Sequence, residues 1–481
     1  MPSQASTPLG TFLAGAGGFF HQALYPKQDA YGHSVYTADR LPAGTGVVSC
    51  PFSLAVTPVL ARASIPVSFF PDPEAAGVDD DHALLTLYLV LHLLPETLAP
   101  SASVPGLALG HGPYVASLPT APSPRTPLYF TEGERALLRG TNLDGATGER
   151  ESQWRQEWES VGARLASSVQ GAAANRAILD EISWERWLWA STMISSRAFP
   201  SSLIDGDKVH STPVLFPGVD LLNHRPRTRV TWFTNRHVEM RNAKTEEGSL
   251  TIVVDEDVPA DTQVFNNYGA KTNEELLLGY GFVLRPSNDA DFLALKLSLP
   301  PPSSTSVDLA HVLQKAGLGQ LRHTVPRSGQ IPPALLAQMR LLVAAQDRNF
   351  APDLPDLVSR LESGSHPAPA GGGNAEFVPL ALEWIGWENE LDVLDALGGM
   401  LENKAAALLA VDVDADSAGD PSIRPEVQDM IRVYRQGQVE IVQAALAYHE
   451  QLFEATVSKA QEAGVDLAFG DDDEQGDSDE E

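Results

Sequence analysis

The residues of this chain best suited to chemistry sit in short segments where polar groups meet apolar surroundings and glycines. In Phe216-Pro-Gly-Val-Asp-Leu-Leu-Asn-His224 an apolar run ends on an amide and an imidazole. Buried, such groups need partners, so Asn223 and His224 suit either a polar ligand or nearby backbone. In Val264-Phe-Asn-Asn-Tyr-Gly269 a phenol follows two amides at the end of a strand-like stretch. Tyr268 could hold, orient or deprotonate an amine, or simply plug a turn. Between Asn273 and Phe282, Leu276 to Leu278 make an apolar helix face, and Gly279 and Gly281 bracket Tyr280. The Phe282 ring suits stacking on a flat ligand such as a purine, or packing in a core. Upstream, Arg197 suits a ligand carboxylate or a surface ion pair. No second histidine or acid stands at ligand spacing from His224, so no metal site is expected there.

These segments must be carried by ordered elements, and the pattern supplies strands on either side of a helical middle. Tyr36 to Val56 holds apolar patches broken by Leu41-Pro-Ala-Gly-Thr-Gly-Val47, the chemistry of strand, tight turn and strand. Val258-Pro-Ala-Asp-Thr-Gln-Val264 echoes that wording. Further strands are predicted at Val214 to Phe216, Val230 to Phe233 and Val238 to Arg241, and Ser249-Leu-Thr-Ile-Val-Val254 is β-branched and alternating. From Asp79 to Trp189 the pattern is helical. His82 to Leu94 is apolar almost all round, and Glu132 to Arg139 and Gln153 to Val169 are amphipathic. Ser183 reads as the cap of a helix whose Trp184, Trp187, Leu188 and Ser191 share a core-facing side. Pro113 to Pro127, with five prolines, reads as irregular. After Pro300 the chain reads as helical to its end. Helices are predicted at Leu309 to Ala316, Pro333 to Ala345, Asp356 to Glu362, Leu391 to Ala410 and Pro425 to Glu462, with a flexible loop over His366 to Gly373. The expected class is α+β: a β-rich domain interrupted by a helical insertion, then an all-helical domain.

Composition narrows the partners. The 481 residues carry 63 acids against 33 bases, a net charge of −30. Such a surface is repelled by phosphate backbones, so no direct nucleic-acid binding is expected and a basic protein partner is favoured. Eight of the last eleven residues, Asp471 to Glu481, are acidic and read as a disordered tail. Cys50 is the single cysteine, which excludes an internal disulfide and a cysteine-based zinc cluster and fits a reducing compartment. The longest apolar run, Leu84 to Leu94, is too short to span a bilayer. The first residues lack a basic segment followed by an apolar core, so the expected location is the cytoplasm, with the nucleus as a second address.

Taken together and in order, Ser195-Ser-Arg-Ala-Phe199, Asp220-Leu-Leu-Asn-His224, Asn267-Tyr-Gly269 and Glu274 to Phe282 with Tyr280-Gly-Phe282 carry a resemblance. The chain resembles SET-domain methyltransferases of the Rubisco large-subunit lysine methyltransferase type, especially the fungal ribosomal-protein lysine methyltransferases. The resemblance extends over about residues 15 to 460, with strong motifs between Arg197 and Leu284. It implies a SET domain in two parts, residues 15–78 and 191–296, a helical insertion at 79–190, a helical substrate-binding domain at 297–465 and an acidic tail at 466–481. It implies S-adenosyl-L-methionine as cofactor and a protein lysine as substrate, with ribosomal proteins in view. Asn223 and His224 match the pair that holds the adenosyl cofactor, and Arg197 an arginine facing its amino-acid end. Tyr268 matches the tyrosine beside the methyl-transfer channel, Tyr280 a second one lining the lysine pocket, and Phe282 an aromatic packed on the adenine. Gly32 and His33 lie where the family places a cofactor loop. Such a reaction is mostly positioning, and an amine entering a dry channel walled by Tyr268 and Tyr280 is favoured in its neutral state.

The chain departs from the pattern in places. Gly32-His33-Ser34 lacks a second glycine, and Asp261-Thr262 replaces a common Gly-Glu turn. With one cysteine the chain cannot close its pocket with a zinc segment, which leaves its helical domain for work such as substrate docking. Two other readings remain at this stage: a protein-histidine methyltransferase of the same architecture, or an inactive SET fold that binds basic proteins. The sequence gives no oligomeric state.

Overall fold

The computed structural model describes residues 3–29, 32–66, 81–95, 107–120, 124–168, 178–235, 248–299, 309–315, 317–345 and 386–466. The expected strand at Val238 to Arg241, the helix at Asp356 to Glu362, the loop at His366 to Gly373, Tyr31 and residues 467–481 of the acidic terminus lie outside them. The chain divides into two units, Met1–Thr131 with Gly145–Val283 and Glu132–Asp144 with Leu284–Glu481.

Strands of the first unit are β1 (Phe19–Phe20), β2 (Leu24–Asp29), β3 (Gly32–Thr37), β4 (Thr45–Pro51), β5 (Phe199–Pro200), β6 (Pro213–Val214), β7 (Val230–Asn235), β8 (Ser249–Val254) and β9 (Thr262–Gln263). One sheet runs β1-β4-β8-β7 and another β2-β3-β9, all antiparallel. β8 sits inside its sheet because its alternate residues Leu250, Ile252 and Val254 are buried on one face. The two turns of similar wording lie against each other: Leu41 and Val258 exchange both backbone hydrogen bonds, each 2.9 Å. Strands from both ends of the helical middle thus share sheets.

Helices follow in chain order: α1 (Pro8–Gly15), α2 (Pro58–Ser64), α3 (Asp81–Leu91), α4 (Gly112–Val115), α5 (Glu132–Ala136), α6 (Asn142–Ser168), α7 (Trp184–Arg197), α8 (Asn273–Tyr280), α9 (Leu309–Lys315), α10 (Pro333–Ala344), α11 (Trp387–Leu409) and α12 (Pro425–Glu462). Two expectations change in the middle of the chain. The proline-rich stretch does hold a helical turn, α4, because Pro113 stands in its first turn, where a missing N–H costs nothing. And α6 begins at Asn142, well before Gln153, its low hydrophobicity having hidden the early turns. In α7, capped by Ser183, Trp187 and Ser191 are buried as expected, but Trp184 and Leu188 are only half-buried. Trp189 lies inside instead, its indole N–H donating to Pro119 O at 2.7 Å.

The second unit is not helical throughout. β10 (Phe292–Lys296) pairs antiparallel with β11 (Arg322–Pro326), which corrects the all-helical expectation after Pro300. Only Val325 of β11 is buried, so its sequence carries almost no apolar alternation. Leu335, Leu394, Leu397, Leu401 and Ile441 build the core between α10, α11 and α12. Buried charges fasten it. Arg340 grips Glu390 through Nε and Nη2 at 2.5 and 2.6 Å, and Arg435 donates to the carbonyls of Leu137, Arg139 and Leu408. Among the described residues, no helix is long and apolar enough to cross a membrane.

Candidate active site

Every residue singled out from the sequence as a site residue belongs to the first unit. The chain enters through Gly218, whose φ of +85° belongs to glycine and where a Cβ would lie 2.7 Å from the Phe20 ring. A single helical turn, Val219–Leu221, follows. Its Asp220 carboxylate is fully buried and collects three donors: the Tyr114 hydroxyl (2.9 Å), Arg197 Nη1 (3.1 Å) and the Gly218 N–H (3.1 Å). Arg197 Nη1 also donates to the Asp220 carbonyl at 3.0 Å. Arg197 is therefore in a partly buried ion pair rather than a surface one, while its Nε is buried without a hydrogen-bond partner.

Past this turn the chain runs beside the segment carrying Tyr268. His224 and Asn266 form a parallel bridge, Asn266 N–H donating to Asn223 O (2.8 Å) and Arg225 N–H to Asn266 O (3.0 Å). Asn266 is fully buried, and its Oδ1 accepts from Trp232 Nε1 (2.8 Å) and Asn267 N (2.7 Å). The Asn223 side-chain amide donates to Ser34 Oγ (3.0 Å) and His33 O (3.3 Å). That contact ties the Asn-His pair to β3 and brings Gly32 and His33 to the site's edge, although the His33 side chain is exposed.

Four aromatic rings gather here. His224 and Tyr268 stack at 5.0 Å and 19°, Tyr268 and Tyr280 lie 5.4 Å apart, and Phe282 is 6.3 Å from Tyr280 and 6.4 Å from His224. Tyr280 closes α8, whose start is fixed by Thr272 and Glu275 in a reciprocal cap. Gly281 then turns the chain in the left-handed region, pressed so close to Arg125 that a Cβ would meet its carbonyl carbon at 2.9 Å. That turn is what sends Phe282 back to His224.

Electrostatics set the protonation states. The Tyr268 N–H donates to His224 Nδ1 at 3.0 Å, and burial lowers the His224 pKa, so the imidazole is neutral. The Tyr268 hydroxyl donates to Leu222 O at 2.8 Å. Burial raises the Tyr268 pKa far above that of a free phenol, against the pull of Arg197, and burial also raises that of Tyr280. Both phenols keep their protons. Burial pushes the Asp220 carboxyl up, with Arg197 and Tyr114 opposing; burial pulls Arg197 down, but Asp220, Tyr114 and Tyr268 outweigh it.

The structure thus brings Arg197, Asn223, His224, Tyr268, Tyr280 and Phe282 together, with the Gly32-His33 backbone alongside. Sequence reasoning missed Asp220, Tyr114 and Asn266. Asp220 had a signal, an acid inside an apolar run, but Tyr114 had none, since only the fold delivers it. A separate cavity of about 190 Å³, lined by Arg225, Arg229, Gln263 and Phe265 among others, includes none of the four rings. Among the described residues no cluster of histidine, cysteine and acids is suited to a metal.

No family model matches the chain. Ribosomal lysine N-methyltransferase set10 of Schizosaccharomyces pombe is 29% identical over 426 residues, covering 86% of this chain and 65% of that protein. The human actin-histidine N-methyltransferase is 25% identical over 408 residues, covering 80% of this chain and 60% of that protein. The chain therefore spans less than two thirds of the length of each. Among solved structures, the SET domain of LSMT bound to lysine and AdoHcy matches with a TM-score of 0.70 at 17% identity, covering 95% of both chains. Rubisco LSMT bound to AdoMet matches with a TM-score of 0.69 at 17% identity, covering 97% of this chain and 98% of that one. The chain has the SET-domain fold of the Rubisco LSMT type and is related in sequence to a fungal ribosomal lysine N-methyltransferase.

Proposed function

We propose that the chain is an S-adenosylmethionine-dependent protein-lysine N-methyltransferase acting on a non-histone protein, with basic ribosomal proteins as the first substrates to test. The observation that carries this is the aromatic cluster around a Tyr268 hydroxyl whose proton is committed to Leu222 O. With that proton committed and its pKa raised, Tyr268 offers lone pairs to an amine N–H or to positive charge; it orients and does not take a proton.

The residues present fit the cofactor. The unpartnered, buried Arg197 Nε suits a carboxylate, the Asn223 amide suits a polar edge and the half-buried Phe282 ring suits a flat base. When bound, the cofactor supplies an activated methyl group. Tyr268 and Tyr280 wall the approach, exclude water and disfavour an ammonium, so that an amine enters neutral. Neutral His224 holds Tyr268 in place through the backbone N–H it accepts. Substrate docking falls to the second unit, and the net charge of −30 favours a basic partner. The cytoplasm, with the nucleus as second address, is the location to test by imaging a tagged chain.

Histidine is the second target, supported by the match to the actin-histidine enzyme over 80% of this chain. Incubation with labelled S-adenosylmethionine and a ribosome-rich extract, comparing wild type with Tyr268→Phe, tests the activity. Mass spectrometry of the product separates lysine from histidine. No label transferred by wild type, together with no cofactor binding by calorimetry, overturns the proposal.

A further inference from the structure

We propose that Tyr114, carried by the helical stretch between the two β-rich segments, is a positioning residue for this site: through Asp220 it holds the turn that presents Leu222, Asn223 and His224. The inference rests on the methyltransferase reading above and extends it to a residue outside the β-rich segments.

Tyr114 lies in α4 and is fully buried. A phenylalanine would satisfy apolar packing alone, so the hydroxyl is the feature that needs explaining. It donates to Asp220 Oδ2, the same oxygen that Arg197 Nη1 reaches. The other carboxylate oxygen receives the Gly218 N–H, and Arg197 holds the Asp220 carbonyl as well. One buried carboxylate therefore fastens α4, the last turn of α7 and both sides of the Val219–Leu221 turn. Two residues on from Asp220, Leu222 O accepts the hydrogen bond of the Tyr268 hydroxyl, and the next residue is Asn223.

A carboxylate with no exposure stays charged only while its donors are complete. The ionisable groups that face Asp220 are Arg197, Tyr114, Tyr268 and Cys50; the last has its thiol pushed up by burial and then by Asp220 itself. Of these, Arg197 and Tyr114 are the donors. Removing the Tyr114 hydroxyl leaves burial less opposed. Asp220 then takes up a proton at a higher pH, Arg197 loses its counter-charge, and the turn loosens where the site is built.

Steady-state methyl transfer to a substrate peptide, measured across pH, tests this. In Tyr114→Phe, kcat falls about tenfold on the acid limb of the profile with peptide KM unchanged. The acid limb of the profile moves up by about one pH unit, and the rate rejoins wild type at alkaline pH. Asp220→Asn removes that titration, so adding Tyr114→Phe to it has no further effect on the profile. A Tyr114→Phe profile that superimposes on wild type, or one that falls equally at every pH alongside a lower melting temperature, overturns the inference. If Tyr114→Phe does not fold, 3-fluorotyrosine at position 114, a stronger donor of the same shape, moves the acid limb to lower pH; an unmoved limb again overturns it. Absence of transfer by wild type sinks the functional reading itself, whereas active wild type with an indifferent Tyr114 sinks only this one.

Discussion

Each of the two units holds an arginine paired with a buried acid. In the second unit Arg340 meets Glu390 with two short, parallel bonds, and Asn389 Nδ2 adds a third tie to the Arg340 carbonyl at 3.3 Å. In the first unit Arg197 reaches Asp220 through one nitrogen, shares that carboxylate with Tyr114, and keeps a buried Nε without a partner. The first arrangement joins α10 to α11 and asks nothing of solvent or ligand. The second leaves a donor open beside an aromatic cluster, which is how a site looks when part of its bonding is reserved for something that arrives.

That contrast can be broken experimentally. The largest effect belongs to the closed pair: Arg340→Ala leaves Glu390 buried alone and lowers unfolding stability by about 3–5 kcal/mol, measured by chemical denaturation, with the transfer rate per folded molecule unchanged. A loss of rate at full folding would erase the distinction. Next comes Tyr268→Phe, for which kcat drops about 100-fold while the circular dichroism spectrum stays the same. A drop smaller than tenfold would remove Tyr268 from the centre of the site.

A third prediction concerns pH and the pair His92 and His111, of which His111 is buried. His111 Nδ1 accepts from the Tyr88 hydroxyl (2.6 Å) and its Nε2 donates to Leu54 O (3.2 Å), while His92 Nε2 accepts from His111 N (3.1 Å). Those bonds require neutral rings, and burial, helped by His92, lowers the His111 pKa to about 4. A histidine with a depressed folded value stabilises above its unfolded value near 6.5, and the contribution is lost as pH falls. Unfolding free energy should decline by about 2 kcal/mol between roughly pH 7 and pH 5, and His111→Gln should flatten that slope. An unchanged slope in the variant would assign the acid sensitivity elsewhere. The smallest effect is expected from Ser34→Ala, which removes the oxygen that steadies the Asn223 amide. Calorimetry should show cofactor affinity weakened about fivefold, the worth of one ordinary hydrogen bond.

Much of this layout was legible from residues. α12 begins at Pro425 and ends at Glu462 as expected, because a proline opens it and a long apolar stripe continues it. β8 was equally plain from its alternation. The ordered motifs from Arg197 to Phe282 were readable because rare polar pairs sit beside glycines. What stayed hidden depended on partners far away in sequence. Asp220 looks like any acid in a turn until Tyr114, 106 residues earlier, is brought to it. β11 was missed because a two-stranded sheet with a single buried residue leaves too little alternation to detect. Arg197 was offered a ligand or a surface ion pair, and the fold gave it a buried carboxylate while leaving one nitrogen over.

The mutual pairing of the two similarly worded turns has a consequence for how the chain comes into being. Arg40 and Asp257, which meet across that pairing, are 217 residues apart. During synthesis β1 and β4 leave the ribosome long before β8 exists, so one edge of β4 waits uncovered while the whole helical stretch is made. Delayed pairing of this kind slows folding and exposes strand edges to other chains. The early half of this protein is therefore the part most in need of a chaperone's shelter.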